Sequence, residues 1–173
     1  GVQMPSGITT EAEAERSIQA LNTQMGGNVM NFTHLVMMYW GLAAAEPGLN
    51  ISDLLTPQGT SEINGIMQRK CIHELSASFS FSYGNSYKQM LKATPSNALA
   101  WVKAIQKQSP GLKPMAPVVI YWGNQDTVVP PVMHKLYFQA ACKQGAVMSR
   151  NELPGNNTHF TTPAASEPFY LKW

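Results

Sequence analysis

The stretch from Lys113 to His159 constrains the chain most. It opens Lys113-Pro114-Met115-Ala116-Pro117 and runs into Val118-Val119-Ile120-Tyr121-Trp122-Gly123. A short run of β-branched and aromatic residues, bounded by Pro and Gly, predicts a fully buried strand of the parallel-sheet kind. Asp126 follows in the loop just past the strand's carboxyl end, where open α/β sheets place their sites. From Val132 to Lys143 the apolar residues Val132, Met133, Leu136, Tyr137 and Ala140 fall at helical spacing, and Gly145 ends the helix. Val147 to Leu153 predicts the next strand, and His159 lies in the loop after it. Strand, acid, helix, strand and imidazole thus make one right-handed βαβ unit, with Asp126 and His159 at the same sheet edge. Two strands so joined lie about 4.8 Å apart, close enough for the loops to bring the two side chains into hydrogen-bond reach.

That order carries chemistry. In α/β-hydrolases the catalytic triad runs Ser, then Asp or Glu, then His along the chain. The acid orients the imidazole and stabilises its protonated form, and the imidazole takes the serine proton. Asp126 and His159 are about 33 residues apart, a spacing that one helix and one strand fill. Here the chain resembles a known family. Pro117-Val118-Val119-Ile120-Tyr121-Trp122-Gly123-Asn124-Gln125-Asp126-Thr127-Val128-Val129-Pro130 looks like the acid loop of the secretory lipases, the fungal lipase A type. Ala141-Cys142-Lys143-Gln144-Gly145-Ala146, then Leu153-Pro154-Gly155 and His159, look like that family's path to its catalytic histidine; Asn157-Thr158 depart from the acidic or small residue usual just before it. The resemblance implies a secreted lipase or carboxylesterase with Asp126 and His159 as catalytic residues. It also implies a partial α/β-hydrolase fold: the C-terminal strands and helices of a parallel sheet with an inserted helical cap.

No Gly-x-Ser-x-Gly occurs in the 173 residues, so no nucleophile is assigned. The serine, and the backbone N–H groups that would stabilise an oxyanion beside it, are expected in a missing N-terminal half. Gly1 to Pro5 is similar to the segment leading from a core strand into the lid. Residues 1–8 are accordingly expected as a loop, 9–112 as the helical cap or lid and 113–173 as the C-terminal hydrolase core. The family also bridges a cysteine at a place matching Cys71 to its upstream half. Read from the residues alone, Cys71 and Cys142 are two unrelated buried thiols, with a bridge between them open but unsupported by spacing.

Within 9–112 the sequence predicts short helices. Thr10 caps the first, to Gln24, with Gly26-Gly27 after it. Asn28 or Asn31 opens the second, which is apolar nearly all round from Leu35 to Ala45 and should pack on two sides. A short helix begins at Asn50 and breaks at Thr56-Pro57; another starts at Thr60 or Ser61. Ile72 to Ala77 reads as helical, whereas Phe79 and Phe81 alternate with serines at strand period. Helical turns are expected from Asn85 to Thr94 and from Asn97 to Gln108, and a last helix starts near Glu167. Met30, Met37, Met38, Tyr39, Trp40 and Met67 either line an acyl-chain pocket or fill the core.

A charged fraction of 13 % and a net charge of +2 make no case for nucleic acid. No apolar run reaches transmembrane length, since the longest, Leu35 to Ala45, is short and contains Gly41. Nothing pairs with the cysteines at ligand spacing, so neither metal nor cofactor is expected. His34, His73 and His134 read as structural or surface residues. The sequons at Asn31, Asn50 and Asn156 matter only in a secretory host. The ordinary alternative for Asp126 is a loop acid capping the next helix, and for His159 a satisfied loop histidine. Two further readings stand beside the lipase: a non-catalytic remnant that binds lipid or a partner chain, and a hydrolase of the same fold acting on a peptide or small ester. Without its other half the chain is expected to be inactive and sticky.

Overall fold

The computed structural model describes residues 7–108 and 110–172. They divide into two compact units, one ending at Gln108 and one beginning after it. Among the described residues the first is built of helices with one isolated antiparallel bridge, Leu55 to Leu91; the second holds a two-stranded parallel sheet. The chain is therefore a mixed, helix-rich protein of α/β type. Of the expected loop 1–8, residues 1–6 lie outside the described residues, as do Ser109 and Trp173.

The helical unit begins with α1, Glu11–Met25. The Thr10 side chain accepts from the Glu13 N–H at 3.3 Å, and the Glu13 carboxylate accepts from the Thr10 N–H at 3.1 Å. This reciprocal box satisfies N–H groups that a helix start leaves unpaired. Asn28 caps α2, Val29–Ala45, through the Asn31 N–H. α2 buries Phe32, Leu35, Val36, Tyr39 and Leu42, but Met37, Gly41 and Ala44 face solvent. α2 packs against several elements of the unit, as expected, and only that stripe is left open.

A single 3-10 turn, Ile51–Asp53, leads to α3, Pro57–Ile66. α3 starts earlier than expected, because Thr56 is its cap and Pro57 its first residue. Proline fits there, where its missing N–H has no intrahelical partner to lose. α4 is Ile72–Tyr83 and includes both phenylalanines of the Ser/Phe alternation, so the strand alternative is wrong. Leu75, Ser76 and Phe79 point inward at helical spacing, while Phe81 is 95 % exposed. A 3-10 segment, Gly84–Met90, and α5, Ala98–Lys107, complete the unit.

The core joins these helices through rings. Phe32 meets Phe79 edge-on at 5.3 Å and Tyr87 at 4.8 Å, and Tyr39 meets Trp101 edge-on at 5.5 Å. Two buried rings find partners for their polar tips: Tyr39 Oη donates to Asn22 Oδ1 at 2.7 Å, and Trp101 Nε1 donates to Asp53 Oδ2 at 3.1 Å. Asn97, with φ 52, gives α5 no side-chain cap; the Glu11 carboxylate takes the Ala98 and Leu99 N–H groups instead. An anion at a helix start also opposes the positive end of the backbone dipoles.

In the second unit β1, Val118–Trp122, pairs in parallel with β2, Met148–Glu152, from Val118 opposite Met148 to Trp122 opposite Glu152. α6, Pro131–Lys143, connects them and packs on β2; α7, Thr162–Tyr170, packs on β1. α7 starts well before Glu167, with Pro163 in its first turn. All five β1 residues are half-buried, not fully buried as expected, since β1 has one strand neighbour among the described residues. Cys71 is exposed and Cys142 half-buried, and both are free thiols, which corrects the expectation of burial for Cys71.

The two phenylalanines of α4 give a direct check. Phe79→Ala should cost about 3–5 kcal/mol of stability, the range for emptying a buried aromatic site. Phe81→Ala should fall within about 0.5 kcal/mol of wild type. Denaturant melts of the two variants test this, and equal effects would contradict the helical packing.

Candidate active site

Both loops of interest leave the carboxyl ends of the paired strands. The Leu153 N–H donates to Trp122 O at 2.9 Å, which continues the ladder, and the Leu153 side chain is buried. Gly155, at φ 83, turns the chain back, a conformation that favours glycine. Asn157 is buried; its Nδ2 donates to Pro154 O at 2.9 Å. Its carbonyl accepts from the Gln125 N–H at 2.9 Å and so joins the two loops. They cross directly over Gly123. A β-carbon at residue 123 would run into Asn157 O and lie 2.6 Å from Thr162 Oγ1.

Asp126 sits in the first of these loops. Its Oδ1 accepts from the Val128 and Val129 N–H groups at 2.9 and 2.8 Å. This is the self-bonded turn that Asp favours, and it aims Oδ2 outward. In the second loop the Thr158 N–H donates to Thr161 Oγ1 at 2.8 Å, and Thr162 Oγ1 donates to Thr158 O at 2.7 Å. These bonds hold the turn that carries His159. The structure brings the two predicted residues together: His159 Nδ1 lies 3.1 Å from Asp126 Oδ2.

Burial pushes the Asp126 carboxyl up, but the Val129 N–H, the His159 imidazole and the Val128 N–H outweigh it and hold it below its ordinary value. Asp126 is therefore an ionised acceptor at neutral pH, and His159 Nδ1 is the donor. A neutral His159 then keeps its lone pair on Nε2, which has no hydrogen-bond partner among the described residues. The His159 side chain is 40 % exposed and that of Asp126 only 12 %. The acid is sheltered and the base is open. The Phe160 ring meets the imidazole edge-on at 5.4 Å and is itself largely exposed.

His134, expected as structural or surface, lies in a further cluster. Arg150 Nε donates to His134 Nδ1 at 2.9 Å and Nη2 to Pro131 O at 3.2 Å. The guanidinium lies 4.1 Å from the centre of the Trp122 ring. Burial, then the Arg150 cation, push the His134 pKa below its ordinary value, with Asp126 pulling the other way. Arg150 and Trp122 carry no motif, and only the strand register places them side by side.

In the helical unit Tyr39 is fully buried, and Met38, Trp40 and Met67 pack on the same core, so these four are core residues; Met37 faces solvent. A groove of ≈ 470 Å³ there is lined by other residues, among them Ile66, Ala77, Phe81 and Tyr83. Among the described residues no helix is long and apolar enough to cross a membrane, and no group of three His, Cys, Asp or Glu side chains is placed to hold a metal. No family model, no curated protein and no solved structure matches the chain.

Two outcomes follow from this geometry. Gly123→Ala should force the loops apart, since backbone on one side cannot yield cheaply; a loss of about 1–3 kcal/mol is expected. With it should go the imidazole proton signal of the Asp126–His159 bond in an NMR spectrum. The pH dependence follows from the lowered Asp126 pKa. The stability it contributes is present above the unfolded carboxylate value, about 3.9, and is lost as pH falls through the lower folded value. Melting temperature plotted against pH should fall in that acid window for wild type and be flatter there for Asp126→Asn.

Proposed function

We propose that this chain carries the acid and the base of a serine hydrolase that cleaves ester bonds of lipids. The fold it belongs to would be the α/β-hydrolase class, similar to the secretory lipases, with export from the cell as in that family. The serine would lie outside these 173 residues. One observation carries the reading: His159 Nδ1 is 3.1 Å from an Asp126 carboxylate whose other oxygen is occupied by two backbone N–H groups. A loop acid that merely caps its own turn has no need of an imidazole on its second oxygen.

The strand chemistry supports it. β1 is Val-Val-Ile-Tyr-Trp, without a charge, a proline or a glycine. β2 is Met-Ser-Arg-Asn-Glu, polar at all four positions after the first. β2 has the character of an edge and β1 that of a strand flanked on both sides, so further strands belong beside β1. In such a sheet Asp126 orients His159 and offsets the charge it gains. His159 Nε2 takes the proton of the serine hydroxyl as the oxygen attacks the ester carbonyl. It then returns that proton to the leaving alcohol, and a water repeats the cycle on the acyl-enzyme.

The test compares the 173-residue chain with the longest natural product of its gene on p-nitrophenyl esters of several chain lengths. The chain alone should show no turnover. A product holding an upstream Gly-x-Ser-x-Gly should turn over and react with a fluorophosphonate. Asp126→Asn in that product should lower kcat by about 10⁴-fold. Full activity in the His159→Ala variant, or no activity in any product of the gene, would overturn the reading.

A further inference from the structure

Asp126 owes its position to a loop that spans from the end of β1 to the start of α6, residues 123–130. The N-terminal side of that loop is held at Gly123 and by the Gln125 N–H on Asn157 O, while the Asp126 carboxylate bonds two N–H groups further along the same loop and His159 Nδ1. Its far side reaches α6 with no such tie to the second loop among the described residues. The last residue before the 123–130 loop is Trp122 and the first after it is Pro131. Arg150 reaches both. It stands on β2 opposite Ile120, so its side chain rises between strand end and helix start. Its guanidinium covers the Trp122 ring at 4.1 Å. Its Nη2 donates to Pro131 O at 3.2 Å, and its Nε donates to His134 Nδ1 at 2.9 Å, one turn into α6. The Trp122 and His134 rings are 5.8 Å apart and close the cluster.

We infer that Arg150 is a positioning residue, a clamp across both ends of the 123–130 loop that fixes where Asp126 meets His159. It touches neither member of that pair. Its effect passes through the spacing of Trp122 and Pro131, which sets the span the loop must bridge. Arginine suits the task because one planar group stacks on an aromatic face while its N–H groups bond in the plane. Lysine offers a point charge and cannot do both. The clamp also needs a neutral His134 whose Nδ1 lone pair faces Arg150 Nε. Burial and the Arg150 charge favour that form, while Asp126 opposes it. The consequence for catalysis rests on the hydrolase reading above; the consequence for the pair does not.

The experiment therefore reads the pair itself. The full chain is labelled with ¹⁵N at histidine, and wild type, Arg150→Lys, Arg150→Met and His134→Phe are compared by NMR and circular dichroism. Wild type should show the His159 Nδ1 proton shifted downfield by its bond to Asp126, with Nδ1–H the dominant tautomer. In the two Arg150 variants that proton signal should disappear and the tautomer ratio should return toward that of free imidazole, while the helical signal stays at the wild-type level. His134→Phe, which keeps the ring but loses the acceptor, should show a partial loss. Folded Arg150 variants with the wild-type His159 signal would overturn the inference. So would global unfolding of both, because Arg150 would then support the whole unit and not the loop. In an ester-cleaving gene product the same variants should lower kcat by up to about 100-fold with KM little changed, the cost of a small misplacement. Absence of activity in the wild-type product would remove the hydrolase reading and leave the NMR result to decide the clamp.

Discussion

Asn157 O occupies the space that a β-carbon would need at residue 123. The second unit is arranged around this crossing. The same carbonyl accepts from the Gln125 N–H, so the acid loop and the base loop are bonded to each other before either side chain is considered. Only glycine at 123 lets the two backbones approach so closely. Once they do, Asp126 and His159 stand within reach of each other. The Asp126 carboxylate spends one oxygen on its own loop and offers the other to the imidazole. The turn at Thr158–Thr162 sets the ring from the far side.

The helical unit is held together on a different principle. Its rings supply the apolar mass; Thr10, Asn28 and Thr56 start their own helices locally, but α5 takes its cap from far along the chain. Glu11, in the first turn of α1, caps α5. Asp53 accepts from Asn50, Asn97 and Trp101 at once, so one carboxylate fixes a 3-10 turn, a helix start and a core indole. Each such carboxylate gathers several N–H donors, and hydrogen bonds to a charged acceptor are stronger than those between neutral groups. These joints tie the unit's shorter elements to the core that α2 helps to build.

What the sequence disclosed follows from how local each signal is. β1, α6, β2 and the placing of Asp126 and His159 are written in adjacent residues: a β-branched run, a Gly, an apolar stripe, a second run. The Thr10 and Asn28 caps are equally local. Pro57 misled because a proline ends one helix and begins another with the same residue, and only the Thr56 bond to Gly59 tells which. Phe79 and Phe81 misled because a two-residue alternation is also visible in a helix with one ring inside and one in solvent. Arg150 was invisible. Its partners Trp122, Pro131 and His134 are 16 to 28 positions away in sequence, and only the parallel register of β1 and β2 brings them to it. The Glu11 cap on α5, 87 residues away, is out of reach of local reading for the same reason.

The division of exposure within the Asp126–His159 pair separates the two roles a pair like this can play. A pair that serves only as a structural contact has no need to leave one member open, and taking both charges out of water costs desolvation that the contact must repay. A base must meet something from outside, so one member has to stay open. Asp126 has three hydrogen bonds and almost no exposed surface, whereas His159 has one and is 40 % exposed. As a stabilising contact this geometry wastes the imidazole, whose Nε2 is left to solvent and whose neighbour Phe160 also stands clear of the fold. Under the hydrolase reading proposed above the geometry leaves nothing idle: Asp126 needs no freedom, and His159 needs only its Nε2.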